Sequence, residues 1–253
     1  MSNTRGDGSL VPLSDEAGVL DILTKSVLGL WDTVNTLTRL RPTRRDRYRV
    51  TIFGSARVDP GHWVYAAVRD TAAELTRLGC DIVTGGGPGL MQAANEGVKL
   101  ADPDGAHQKS MGIRVELPFE QDVNAFVTEA FEHKTFFTRL HHFVLVSDAF
   151  IVTPGGIGTV LEMLMVWQLL QVRHLHDTPL LLAGRFWDGM LDWAKRVMLT
   201  PDAPLISPKD LAIPRILPDG PASSDTRTRK ASRIARLIAR PSTWSSYSFA
   251  MRS

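Results

Sequence analysis

Two glycine-rich stretches in this sequence each follow an apolar run, and one of them leads directly to a hydroxyl and a carboxylate. The first, "VTGGGPGLM", carries Gly85, Gly86, Gly87 and Gly89. The second, "VTPGGIGTVLE", carries Gly155, Gly156 and Gly158, then Thr159 and Glu162. Glycine has no Cβ, so such turns let a ligand approach the backbone closely. A helix that begins there offers unpaired N–H groups and the positive end of its dipole. Together these make a phosphate site. The dipole contributes only about 0.3–1 kcal/mol, and several N–H bonds to a charged oxygen add more. Thr159 falls in the first helical turn, where its hydroxyl can donate to a phosphate. Glu162 follows three residues later on the same helix face, about 5 Å further along the axis. The spacing thus separates an anion-binding end from a carboxylate end. Spacing alone leaves Glu162 open to a second reading, as a solvated carboxylate that stabilises the helix N-terminus. Neither turn is a complete nucleotide fingerprint: "GGGPGL" lacks the third glycine of G-x-G-x-x-G in register, and neither has the Lys-Ser/Thr of a P-loop.

The elements around the turns alternate in type. From residue 49, short β-rich runs ("RVTIFGS", "DIVTGGG", "SMGIRVEL", "AFIVTPGG", "TPLLLAG", "AIPRILP") are separated by helical patterns at about 62–79, 89–101, 134–146, 158–171 and 186–199. "AFVTEAF" reads as a further short strand. This alternation, with continuous apolar strands, predicts an α/β fold: a Rossmann-like doubly wound parallel sheet with helices on both faces. In such sheets ligands bind beyond the carboxyl ends of the strands, which is where both glycine turns fall. Before the alternating region, residues 1–13 read as a disordered tail. Residues 14–41 read as an N-terminal helix, with Ser14 as its cap and Leu20, Leu23, Val27, Leu30 and Val34 at helical spacing. That helix packs on its own domain or serves as an oligomer contact. The Rossmann-like domain is expected over 49–240 and a flexible tail over 241–253. Within 226–240, Arg227, Arg229, Lys230, Arg233, Arg236 and Arg240 form a basic run that reads as a solvated helix face.

Bulk properties narrow the function. The 253 residues are 43% hydrophobic and 22% charged, with a formal net charge of +2. That composition is ordinary for a globular chain, and the charge does not imply a nucleic-acid partner. One cysteine, Cys80, allows no internal disulfide and suits a cytoplasmic protein. The N-terminus lacks a signal-peptide pattern, and no apolar run approaches a membrane span. No metal is expected. The pairs His141-His142 and His174-x-His176 match neither H-E-x-x-H nor a Cys/His set.

The segments "TGGGPGLMQAAN", "SMGIRVELPFEQ", "FFTRLHHFVLVSDAFIVTPGGIGTVLEM" and "RFWDGML" resemble the LOG family of cytokinin riboside 5′-monophosphate phosphoribohydrolases, many of whose members are mislabelled as lysine decarboxylases. The resemblance runs from about residue 49 to 217, and the N-terminal helix followed by "VTIFGSAR" is similar to the longer bacterial branch. It implies a homodimer or larger assembly that hydrolyses the N-glycosidic bond of AMP-like nucleotides to free base and ribose 5-phosphate, without a cofactor. It places the catalytic pair on Arg139 and Glu162, and the phosphate-binding turn on Gly155, Gly156, Gly158 and Thr159. Gly86 and Gly87 line the other side of the pocket, and Ser55 lies at the end of the first strand. The chain departs from the family at Leu140, where a lysine is usual, and at Leu161, where a second glutamate is frequent.

The implied reaction builds positive charge on the ribose, as in glycoside hydrolysis. It needs a carboxylate near C1′ to stabilise that charge or activate water, and Glu162 has the required type. Arg139 holds its proton too tightly to be a general acid, which leaves it an electrostatic role toward the leaving base or the ribose hydroxyls. Lysine decarboxylation would require a Schiff-base lysine, and none lies near either turn in the sequence. The competing reading is a non-catalytic carrier of the same fold that binds a nucleotide or the molybdenum cofactor.

Overall fold

The computed structural model describes residues 11–37, 47–116 and 123–217. The chain divides into two units, Met1–Arg45 and Asp46–Ser253. In the first, α1 spans Glu16–Leu37. Its N-terminal cap is Asp15 rather than the expected Ser14: the Gly18 N–H donates to the Asp15 carboxylate at 3.1 Å, and the backbone turns at Pro12–Asp15 before the helix begins. The expected helical residues beyond Leu37 lie outside the described region. No described helix is long and apolar enough to cross a membrane.

The second unit is a seven-stranded sheet in the order β4-β3-β2-β1-β5-β6-β7. Its strands are β1 Arg49–Phe53, β2 Asp81–Thr84, β3 Ser110–Val115, β4 Glu129–His133, β5 Ala149–Val152, β6 Leu180–Ala183 and β7 Pro214–Leu217. All six neighbouring pairs are parallel, as the alternating pattern predicts. The helices between them are α2 Trp63–Arg77, α3 Leu90–Ala101, α4 Phe136–Val146, α5 Ile157–Gln171, α6 Asp188–Met198 and the short α7 Pro208–Leu211. Strand order runs outward from β1 in one direction through β2, β3 and β4, and in the other through β5, β6 and β7. The reversal makes the β1/β5 boundary a topological switch point, where ligands of open α/β sheets bind.

Successive strand residues face opposite sides, and each side has its own core. Val50 and Ile52 of β1, with Ile82 and Ile151, pack against Val68, Leu75, Leu90 and Ala94 of α2 and α3. Phe53 of the same strand, with Val83, Ile113 and Phe150, packs against Phe143 of α4 and Met163 and Val166 of α5. The two helix layers follow from the right-handed rule for parallel crossovers, which sends connections on either side of a switch point to opposite faces.

Three boundaries differ from the sequence reading. Strand β4 begins at Glu129, not near Ala125, because the preceding loop is held elsewhere: the Asn124 side-chain amide donates to the Gly86 and Gly87 carbonyls. Helix α4 starts at Phe136, with the Thr135 side chain accepting from the Thr138 N–H. The helix expected from 186 opens with a 3-10 turn, Arg185–Trp187. Helix α7, set by a capping box at Ser207 and Asp210, was not anticipated. The expected basic helix at 226–240 and the tail at 241–253 lie outside the described residues.

Candidate active site

Both glycine turns leave strands that flank β1, and the end of β1 holds them together. The Ser55 N–H donates to the Pro154 carbonyl at 3.1 Å, and the Leu90 N–H donates to the Ser55 carbonyl at 2.8 Å. Ser55 is thus hydrogen-bonded through its backbone to both turns, while its hydroxyl accepts from the Arg57 N–H at 3.1 Å. Thr153 ties the second turn to β1 again, its hydroxyl donating to the Phe53 carbonyl at 2.8 Å. Gly89, at φ 68°, has the Ser55 and Ala56 backbone where a Cβ would lie. Only glycine combines that φ with that approach.

The first turn is built on a buried polar network. The Gly86 N–H donates to the Thr84 hydroxyl at 2.9 Å, and that hydroxyl donates to the Asn95 side-chain oxygen at 2.8 Å. The Asn95 amide donates to the Ser110 hydroxyl at 2.8 Å. Asn124 donates to the same Asn95 oxygen at 3.0 Å. Asn95 is fully buried, so each of these bonds satisfies a group that water cannot reach. Gly86 is therefore occupied within the protein: its N–H and its carbonyl both have internal partners. Gly87 is half-buried. The sequence reading missed Thr84, Asn95 and Asn124. The available signal was a polar residue at a buried position of an apolar helix, in "LMQAAN".

The second turn is the open one. Gly156 is the N-cap of α5 and makes no side-chain cap. Nothing lies within 4 Å of where a Cβ of Gly156 or Gly158 would project. The first amides of a helix have no partner within it, and the flanks of this turn are clear where Gly156 and Gly158 would carry a Cβ. Thr159 is buried, and its hydroxyl occupies the space over Gly155. It thus lies on the inner side of the turn rather than on the open one.

Buried Thr159, Glu162, Met163 and Val166 form the inward stripe of α5. This decides between the two readings of Glu162: it is 8% exposed and not a surface carboxylate. Its partner is Arg139 of α4, whose Nη1 lies 3.0 Å from Glu162 Oε1. Three further features seat the arginine. Its Nε donates to the Ile113 carbonyl, in the C-terminal half of β3, at 2.9 Å. Its guanidinium carbon lies 5.2 Å from the centre of the Phe143 ring. Its Nη2 lies against Gly85. Burial pushes the Glu162 carboxyl up to about 7, while the charge and hydrogen bond of Arg139 pull in the opposite direction. A carboxyl held near neutrality can take or release a proton at physiological pH. Leu140 is half-buried and Leu161 is 48% exposed, so neither supplies a second charge to the pair.

Ser55 thus bonds to Pro154 of the second turn and to the start of α3, Gly86 and Gly87 share the Asn124 amide, and Gly155, Gly156, Gly158, Thr159 and Glu162 lie on one turn and helix end. Arg139 reaches from Glu162 to Gly85 of the first turn. A shallow apolar hollow, open to solvent, lies on the α2 side of the sheet between Ile52, Trp63, Val64, Ile151 and Leu217. It shares Thr153 and Pro154 with the second turn but has no titratable lining residue. Among the described residues, no three His, Cys, Asp or Glu side chains gather as a metal site. His142 instead shares a 2.9 Å hydrogen bond with His133.

The family model described as possible lysine decarboxylase matches residues 91–221, just over half of the chain. The chain belongs to this family, the LOG family. A curated relative of this LOG-family chain, the pyrimidine/purine nucleotide 5′-monophosphate nucleosidase of Escherichia coli K12, is 28% identical over 140 residues. That match covers 53% of the chain and 30% of the relative's length. Among solved structures, the molybdenum cofactor carrier protein of Chlamydomonas reinhardtii superposes with a TM-score of 0.52 at 16% identity, over 77% of this chain and 99% of its own. The molybdenum cofactor binding protein of Rippkaea orientalis gives 0.50 at 20% identity, over 78% and 100%. At these identities the likeness concerns the fold alone.

Proposed function

We propose that this LOG-family chain hydrolyses the N-glycosidic bond of nucleoside 5′-monophosphates, AMP or a cytokinin-type riboside monophosphate among them. The observation that carries this reading is the largely buried Arg139–Glu162 pair, 3.0 Å apart, with Glu162 on the helix whose N-terminal turn is open at Gly156 and Gly158. The 5′-phosphate binds at that turn, against the α5 amides. Glu162, one turn further on, faces the ribose. As the C1′–N bond breaks, the carboxylate stabilises the positive sugar and takes a proton from the attacking water, whose oxygen bonds to C1′. The electron pair of the broken bond leaves with the base, which takes up a proton from solvent to give free base, while water's oxygen completes ribose 5-phosphate. Arg139 supports the negative charge on the departing base and keeps its own proton. The name of the curated relative supports the same reaction class. The decarboxylase description of the family has no support at either turn, since 84–91 and 153–163 contain no lysine.

A homodimer is part of this reading. Ile157, Leu161 and Leu164 on the outer side of α5, with Phe136 and Phe137 at the start of α4, are exposed apolar residues bordering the site. Such a patch suits burial against a second copy. The buried single cysteine fits a reducing cytoplasm. The deciding experiment incubates the chain with a panel of nucleoside monophosphates and measures free base and ribose 5-phosphate by chromatography and mass. Release of base from AMP, abolished in Glu162→Gln, supports the reading. Tight AMP binding without product would replace it with a carrier.

A further inference from the structure

We propose that Gly85 is a positioning residue, whose missing side chain provides the space in which the Arg139 guanidinium pairs with Glu162. This deepens the nucleosidase reading and rests on it only for its activity readout. A Cβ placed on Gly85 would lie 2.6 Å from Arg139 Nη2 and 2.7 Å from Met91 Sδ. Its nearest heavy atoms are thus the far ends of two side chains, and no backbone atom is among the three nearest. Gly85 is also absent from the residues with positive φ, unlike Gly86 and Gly89. An alanine is compatible with that backbone, so glycine at 85 is not explained by conformation. It is explained by what occupies the vacated volume.

The guanidinium has little freedom to yield. Its Nε is tied to the Ile113 carbonyl at 2.9 Å, its Nη1 to Glu162 at 3.0 Å, and its carbon lies 5.2 Å from the Phe143 ring centre. Ordinary contact begins at 3.4 Å, so a Cβ at 85 displaces Nη2 by roughly 1 Å. A misplacement of that size costs about 10²-fold in rate when the group acts at the reacting atoms. The first residue of the glycine turn therefore serves the catalytic arginine, while Gly86 and Gly89 serve the backbone turn.

The test compares Gly85→Ala, Arg139→Ala and the double variant in the full chain, with folding followed by circular dichroism. The Glu162 carboxyl is titrated without ligand by ¹³C NMR on glutamate-labelled protein, assigned with Glu162→Gln. The expected result is an upward shift of the Glu162 titration in Gly85→Ala, because a displaced guanidinium stabilises the carboxylate less. A comparable shift is expected in Arg139→Ala, with no further shift in the double variant. In Gly87→Ala, whose Cβ would meet Met91 and not Arg139, the titration should stay in place. With AMP as substrate, Gly85→Ala should lower kcat about 10²-fold with KM within about threefold. If Gly85→Ala fails to fold, folding of the double variant supports the proposal, and failure of both overturns it. A folded Gly85→Ala with an unmoved titration, or additive shifts in the double variant, also overturns it. Because the titration needs no substrate, absence of turnover in the parent chain would defeat the nucleosidase reading alone.

Discussion

Arg139 and Glu162 lie 3.0 Å apart on two helices that pack against the same face of the sheet, with 13% and 11% of their side chains exposed. A pair this dry has paid a desolvation penalty of several kcal/mol per ion, which its attraction and hydrogen bonds only partly offset. A chain keeps such an arrangement more readily for chemistry than for stability. Glu162→Gln retains the shape and one hydrogen-bond acceptor but loses the charge. Its base-release rate should fall about 10²–10⁴-fold, with a Tm equal to or above that of the parent. Unchanged release of adenine from AMP would remove Glu162 from the mechanism.

The raised Glu162 carboxyl makes a signed prediction for pH. Its folded value of about 7 exceeds the ordinary 4.5, so the folded state binds more protons than the unfolded state between those limits. Its contribution to stability is full below about 4.5 and is lost as pH rises through about 7. Urea midpoints of the parent and Glu162→Gln, taken from pH 5 to 8, should diverge with rising pH in favour of the glutamine variant. The difference is on the order of a few kcal/mol. In the proposed mechanism the ionised carboxylate is the active form, so kcat/KM should fall on acidification with a midpoint near 7.

The histidines act in the opposite direction. Burial pushes His142 down to about 4, helped by His133 and Arg49, and burial and Arg139 lower His133. The unfolded chain then takes up more protons than the folded one below about 6.5. This contribution is full above that pH and is lost as pH falls toward 4. His142→Leu removes the hydrogen bond to His133 and also the acid-sensitive group. The drop in Tm between pH 7 and pH 5 should shrink by about 3 °C or more. An unchanged drop would show that the pair does not titrate in this range.

Asn95 should be a stability residue. Asn95→Ala leaves the Thr84 and Ser110 hydroxyls and the Asn124 amide without one partner each. Each newly unsatisfied buried group costs about 1–3 kcal/mol. Chemical denaturation should therefore show a loss of at least about 2 kcal/mol, against a small effect for Asn95→Ser if water fills the gap.

Phosphate binding at the second turn is tested at Gly158. Its Cβ position is open and exposed, so Gly158→Asp should fold normally. An aspartate in the first turn of α5 favours the helix by a few tenths of a kcal/mol while repelling a phosphate. The expected result is a KM for AMP raised about tenfold or more, with kcat changed much less. Equal losses in both would place the phosphate elsewhere.

Much of the fold is legible in the sequence. Apolar runs such as "AFIV" between helical patterns specify buried parallel strands, because period and length decide which faces must be covered. Glycines at both strand ends mark the ligand side by the same logic. Strand β4 was not legible in register: pairing starts at Glu129 only because Asn124 draws the preceding loop onto the first turn, and a one-residue alternation pattern cannot report such a pull. The cap of α1 moved from Ser14 to Asp15 for a similar local reason, since both residues can cap and the turn at Pro12 chose between them.

The sequence by itself determined the α/β alternation, the two turns and the placement of Glu162 one turn beyond the second, because these depend on local spacing along a strand or helix. Only the tertiary structure decided which turn stays open, that Thr159 points inward over Gly155, and that Gly85 faces Arg139. It also decided that Glu162 belongs to the buried stripe of α5. An α5 that is apolar on nearly every side gives no sequence-level clue to its inner face. That face is chosen by the sheet and by α4, whose residues lie far away in the chain.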